Sequence, residues 1–269
     1  MTYEEFVLAI AYECQNDPRR GLDDKDVQKR ILDFAKQLNS SELDVYLYLL
    51  KKFVKIKWNE YELELRNALD FAQNGELKNK KIYISPMQTK PGSSAPYLLR
   101  FLAMSPHLKK HANLEGSDMN FCSEDVQLPR RISGNPKARL LLIDDYIGSG
   151  YTAFERVCDI QKKVNVTADQ IILLSIAGAK KGIDFLNFFY KVICPFVQDK
   201  GISSIPNEFQ KDVFSNSIIS IAQKFDLGQA FGYGACEGTI SLMNTPNNTF
   251  QMFHDEKRIK NPPFPRIKL

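Results

Sequence analysis

Leu140-Leu141-Leu142-Ile143-Asp144-Asp145-Tyr146-Ile147-Gly148-Ser149-Gly150-Tyr151-Thr152-Ala153 is the stretch whose reading decides the fold. Its four leading apolar residues predict a buried strand, and two adjacent acids stand at the expected carboxyl end of that strand. A loop of Gly, Ser and Thr follows, and a helix is expected to begin near Ala153. In open α/β sheets, ligands bind outside the carboxyl ends of the strands. Glycines let backbone N–H groups converge on a phosphate, and a helix N-terminus adds partial positive charge there. Ser149 and Thr152 add hydroxyl donors. Asp144 and Asp145 are expected to open into a cleft and face the sugar hydroxyls of a ribose 5-phosphate, directly or through a metal. The loop lacks the GK[ST] element of a nucleotide-binding P-loop. A plain α/β turn with a solvated acid pair is the competing reading. Strand, acids, loop and helix all agree on a site, which counts against it.

Outward from this stretch, short apolar runs alternate with helical patterns. The runs are Lys81–Ile84, Ala138–Ile143, Gln170–Ala177, Lys191–Phe196 and Thr239–Met243. Near-continuous apolar runs suit parallel strands covered by helices on both faces. Helical spacing falls at Tyr97–Met104, Ala153–Lys163, Ile183–Tyr190 and Val213–Phe225. The alternation predicts an α/β fold with a mostly parallel sheet flanked by helices. Residues 105–135 lack apolar periodicity and are expected to form a long loop or a small excursion from the sheet. After the first strand, Lys90, Gly92, Ser93 and Ser94 offer a cation, backbone N–H groups and hydroxyls before a helix, a pattern that suits a pyrophosphate. An ordinary strand-to-helix turn explains the same residues. Gly178 ends another strand and would admit a ligand closely. Asn247 and Asn248 suit either a base edge or a Pro-Asn-Asn turn. Arg266 is a candidate phosphate contact or a tail anchor. His107 and His111 could share a helix face, but no third ligand lies nearby, and His254 is equally isolated, so a transition-metal site is not expected.

Residues 1–77 read as helical throughout, an N-terminal helical region distinct from a 78–269 α/β domain. Val27, Ile31, Phe34, Ala35 and Leu38 recur every three to four residues, as do Leu43, Tyr46, Leu47, Leu50 and Phe53. Asn39-Ser40-Ser41-Glu42 separates the two runs and can cap the second. A third helix is expected over Glu60–Ala72, with Leu63, Leu65, Leu69 and Phe71 as its apolar positions. No catalytic group is expected in this region, whose apolar stripes should bury against the α/β domain, a second copy or a partner.

The chain has 269 residues, 43% hydrophobic and 25% charged, which excludes a disordered or fibrous protein. No apolar run reaches the roughly 18 residues needed to span a bilayer. The acidic start MTYEEFVLAIAYEC does not read as a signal peptide. Five scattered cysteines without a CxxC suit a reducing, cytoplasmic setting. The net charge of +4 is uneven: residues 1–80 hold 13 basic and 15 acidic residues, and the remainder 23 and 17. A mildly basic second part suits a phosphorylated ligand or RNA.

The segment Asp144–Thr152 resembles the loop of type I phosphoribosyltransferases that binds 5-phosphoribosyl 1-pyrophosphate (PRPP). There an apolar strand runs into two acids and a Thr/Ser-Gly loop. This chain departs from the pattern with Gly148 at the usual Thr and Tyr151 at a usual small residue. DDYIGSG, with Asn244-Thr-Pro-Asn-Asn248-Thr249 and Phe264-Pro-Arg266, looks more like the divergent phosphoribosyltransferase-like proteins of bacterial conflict and anti-phage systems, some of them retron-linked. The resemblance covers about Lys80 to Leu269. It implies a phosphoribosyltransferase-like α/β fold and a site in which Gly148, Ser149, Gly150, Tyr151 and Thr152 hold the 5-phosphate. Asp144 and Asp145 would be the catalytic acids, which meet Mg²⁺ indirectly, and the loop of Lys90, Gly92, Ser93 and Ser94 would hold pyrophosphate. It further implies chemistry at the anomeric carbon of a nucleotide or nucleic-acid-linked substrate by a toxic effector, with a reverse transcriptase, RNA or another defence protein as partner and a possible homodimer. The alternative is a catalytically lost sensor or scaffold in a ribonucleoprotein complex. Salvage or biosynthesis fits less well, because the helical N-terminus and the NTPNNT ending do not look like those enzymes.

Overall fold

The computed structural model describes residues 1–16, 22, 24–72, 76–90, 93–124, 128, 132, 135 and 137–266. The chain forms two compact units, one of Met1–Trp58 with Asp199–Lys268 and one built on Asn59–Gln198. This division differs from the expected boundary at residue 77. The third N-terminal helix joins the sheet unit, and the C-terminal segment joins the first helices.

In the sheet unit the strands are β2 (Lys81–Pro86), β3 (Asp118–Phe121), β4 (Ala138–Ile147), β5 (Ile171–Ala179), β6 (Lys191–Ile193) and β7 (Phe196–Gln198). They form a parallel sheet in the order β3-β2-β4-β5-β6, with β7 also pairing with β5. β5 is buried at every position and β4 at all but one, as expected of strands covered on both faces. The helices are α4 (Tyr61–Asp70), α5 (Ala95–Met104), the single turn α6 (Pro106–Lys109), α7 (Tyr151–Lys163) and α8 (Lys180–Asn187). β3 lies in the stretch expected to be loop: its four residues are at most half-buried, so they carry little apolar signal. The expected run Lys191–Phe196 is two short strands rather than one. α6 ends at Lys109 and His111 instead starts the next turn, so His107 and His111 do not share a helix.

The other unit is mainly helical: α1 (Tyr3–Asn16), α2 (Lys25–Ala35), α3 (Ser40–Lys52) and α9 (Glu208–Phe225). Asn39 and Glu42 form the expected capping box at α3. Val27, Ile31 and Phe34 of α2 and Tyr46, Leu47 and Leu50 of α3 pack with Phe214, Ile218 and Ile221 of α9 and with Phe250, Phe253 and Phe264. The apolar stripes therefore find their partner in residues 199–266 of their own unit. Thr239–Met243, expected in the main sheet, yields only β8 (Ile240–Ser241), which pairs with β1 (Val54–Lys55) inside this unit. No helix among the described residues is long and apolar enough to cross a membrane.

Candidate functional site

β4 does not stop before the acids. It runs on through Asp144 and Asp145 to Ile147, with Asp144 beside Ser175 and Ile147 beside Gly178 of β5. The register with β5 passes over Asp145, and both carboxylates come within reach of one hydroxyl, that of Ser94. Neither carboxylate opens into a cleft, contrary to expectation: Asp144 is 3% and Asp145 5% exposed. They are covered by the segment after β2 and by α4. Ser94 Oγ lies 2.6 Å from Asp145 Oδ1 and 3.2 Å from Asp144 Oδ1. Gln88 donates its side-chain amide to Asp144 Oδ2 at 3.2 Å, and the backbone N–H of Asp145 donates to Asp144 Oδ1 at 2.9 Å. The Tyr61 phenol donates to Asp145 Oδ2 at 3.1 Å. Ser94 sits at the cap position of α5 but makes no cap bond with its side chain, which serves the acids instead.

Burial pushes the Asp144 carboxyl well above the ordinary carboxylate range, and the neighbouring charge of Asp145 adds to the rise. Burial also raises Asp145, while hydrogen bonds from Ser94 and Tyr61 pull the other way. Two desolvated like charges this close are costly to hold ionised together, so the pair favours a shared proton or a cation.

The loop after β4 is built on close backbone contact. Gly150 has φ +80°, which favours glycine, and caps α7 without a side-chain bond. A Cβ at Gly150 would come within 2.8 Å of Gly182 O, and one at Gly182 within 2.0 Å of Gly148 O. The first turn of α8 thus presses on Gly148–Gly150, and the second glycine of this contact, Gly182, was not singled out by the sequence. Ser149 Oγ accepts from the N–H of Tyr151 at 3.4 Å. Tyr151 and Thr152 are exposed, at the start of a 13-residue helix.

The structure thus gathers Asp144, Asp145 and Ser94, and adds Gln88 and Tyr61. Ser93 turns its hydroxyl to Gln88 O at 3.3 Å, and Lys90 is exposed. Gly92 lies outside the described residues. Gly178 is buried within β5, where a Cβ would meet Ile183 at 2.7 Å, so packing already accounts for the glycine. Asn247, Asn248 and Arg266 belong to the helical unit. There Asn248 donates to Tyr233 O at 3.1 Å and Asn247 O accepts from the N–H of Tyr233 at 2.8 Å, which is turn chemistry. Arg266 is exposed, and its charge adds to the burial that lowers His254 to about 4. Among the described residues there is no group of three or more His, Cys, Asp or Glu able to hold a metal ion.

Tyr61 carried no sequence signal beyond its place on an amphipathic helix. The buried face of α4 is Tyr61, Leu65, Ala68 and Leu69, whereas Leu63 and Phe71, read as apolar positions of its core face, are exposed. Leu63 and Phe71 lie two positions from Leu65 and Leu69, on the opposite face of the helix, and counting them into the stripe hid the phenol.

A family model described as PRTase-CE matches residues 31–266. Among solved structures, the chain is similar to the orotate phosphoribosyltransferase from Aeropyrum pernix, at 13% identity and a TM-score of 0.32, with 52% of this chain and 71% of that chain covered. No curated protein matches the chain.

Proposed function

The chain belongs to the PRTase-CE family, and from that premise we propose that it binds PRPP or a related ribosyl phosphate at the end of β4 and acts at the anomeric carbon. One observation carries this reading. Asp144 and Asp145 stand side by side and buried in the central strand, and the donors described on them are neutral: two hydroxyls, a side-chain amide and a backbone N–H. A buried acid pair without a cation costs stability, and such pairs persist where a ligand uses them. Ribose hydroxyls are neutral donors of the same kind as Ser94 and Gln88, and can take their places. The N–H groups at the start of α7 suit the 5-phosphate.

The acids also fit Mg²⁺. This ion takes one or two protein carboxylates and fills its other positions from phosphates and water, so a site with two acids among the described residues matches its habits. Asp144 and Asp145 would hold it, directly or through water, and it would neutralise the charge of a departing pyrophosphate. The protein's own groups orient the sugar and place negative charge beside the anomeric carbon as positive charge develops there.

The finer reading is an effector of a bacterial defence system, acting on a nucleotide or nucleic-acid-linked acceptor in the cytoplasm with a reverse transcriptase, RNA or another defence protein as partner. It is supported by the likeness of DDYIGSG, NTPNNT and FPR to that branch. A second reading, a ribosyl-phosphate sensor without catalysis, is favoured by the covering of both acids and by Tyr151 in the loop. Incubation with PRPP, Mg²⁺ and a nucleotide panel separates them. Pyrophosphate release supports the transferase, tight PRPP binding without release supports the sensor, and no PRPP binding in a calorimetric titration refutes both.

A further inference from the structure

Asp145 is held at both oxygens by elements from different parts of the chain. Ser94 takes Oδ1 from the loop ahead of α5, and Tyr61 takes Oδ2 from the first turn of α4. Asp144 differs, because both side chains on it, Gln88 and Ser94, come from that one loop. The Ser94 hydroxyl has a single hydrogen, yet it lies within bonding distance of both acids and can donate to only one of them. A ligand hydroxyl arriving at the pair competes first with this shared contact. Tyr61 is anchored otherwise: it is 0% exposed and sits on the helix face that buries Leu65, Ala68 and Leu69.

We propose that Tyr61 is a positioning residue for the ribosyl-phosphate site, fixing the Asp145 carboxylate in place while the Ser94 contact gives way to ligand. The inference rests on the reading of the acid pair given above. The residue type suits the task. A lysine here would neutralise the carboxylate, and a phenylalanine would leave a buried oxygen unpaired. A phenol orients the carboxylate and leaves its negative charge available to the sugar or a cation.

The test uses the full chain with Tyr61→Phe, read two ways. The first is a crystal structure of the ligand-free variant, in which the Asp145 carboxylate is expected to leave its present position. The second is calorimetry with PRPP and Mg²⁺ and, separately, with pyrophosphate alone, so that the metal the acids would hold takes no part in the second arm. PRPP affinity should fall about tenfold, the loss of one hydrogen bond to a charged group, while pyrophosphate affinity stays as in the wild type. A merely structural role would not split the two ligands. An unmoved Asp145, or equal loss for both ligands, overturns the proposal. If the wild type fails to bind PRPP, the ribosyl-phosphate reading falls, and the position of Asp145 in the variant still decides whether Tyr61 sets it. Should Tyr61→Phe not fold, Ser94→Ala decides: Asp145 retained against Tyr61 supports the proposal, and a displaced Asp145 overturns it.

Discussion

The two units bury carboxylates in opposite ways. In the helical unit Glu237 is 3% exposed and accepts from the N–H groups of Ile202 (2.8 Å) and Ser203 (2.7 Å), from the Ser203 hydroxyl and from Lys200 (3.3 Å). Glu42, 1% exposed, accepts from the N–H of Asn39 (2.8 Å), Ser220 Oγ (2.7 Å) and Lys224 (3.4 Å). Each acid has a lysine and a full set of donors, so it staples its surroundings. In the sheet unit Asp144 and Asp145 share neutral donors and face each other's charge. Burial alone does not tell the two kinds of acid apart; the charge of their partners does.

Glu237→Ala is the most damaging change expected, because it strands two backbone N–H groups and an ammonium. It should cost the helical unit roughly 3 kcal/mol in urea unfolding. Asp144→Asn with Asp145→Asn should do the reverse: stability held or raised, with PRPP binding lost. A comparable stability loss in both variants would break the contrast between the units.

Acid should sharpen the contrast from the other side. His254 is buried, and its Nε2 donates to Thr249 O, 3.2 Å away. Burial, with Arg266 nearby, holds its pKa at about 4 against an ordinary 6.5. The unfolded chain therefore binds the proton first, and this contribution is complete above about pH 6.5 and drains away as pH falls to 4. At about 1.4 kcal/mol per unit it amounts to roughly 3 kcal/mol. His254→Gln should flatten the pH dependence of unfolding over that window, and an unchanged slope would exclude His254 as its source.

The loop contact gives a smaller effect. Gly182→Ala places a methyl 2.0 Å from Gly148 O, forcing the β4–α7 loop to shift. PRPP affinity should drop at least about tenfold. Gly228→Ala, with nothing within 4 Å of the new Cβ, is the control that should change nothing. The smallest effect belongs to Tyr46, buried among Phe6, Phe34 and Phe253 with an unpartnered hydroxyl. Tyr46→Phe should leave the melting temperature unchanged or raise it, by at most about 1 kcal/mol of stability. A marked loss would mean that the hydroxyl is satisfied.

The parallel sheet and the Asp144–Thr152 segment were legible because continuous apolar runs and a Gly-rich turn are local signals. The capping box at Asn39 and Glu42 was equally local. The closure over the acids was not, since Ser94 and Tyr61 reach them from 51 and 84 positions away. Serine before a helix reads as a cap, and tyrosine on an amphipathic stripe reads as core. The unit boundary was hidden for a similar reason: nothing in Val27, Ile31 or Phe34 says that their partners lie beyond residue 199. Gly182 looked like an ordinary helix residue until its neighbour across the loop was known.

That discontinuous unit has a consequence for how the chain is made. Residues 1–58 leave the ribosome well before Phe214, Ile218, Phe250, Phe253 and Phe264, which share their core. At synthesis rates of about 5–20 residues per second, the early helices wait on the order of ten seconds or more with apolar faces uncovered. The intervening sheet unit can close in that interval, since its contacts lie within one continuous stretch. The amino-terminal helices are therefore natural clients for a chaperone during translation, and a message broken before residue 199 would yield a folded sheet unit trailing a sticky, unpaired leader.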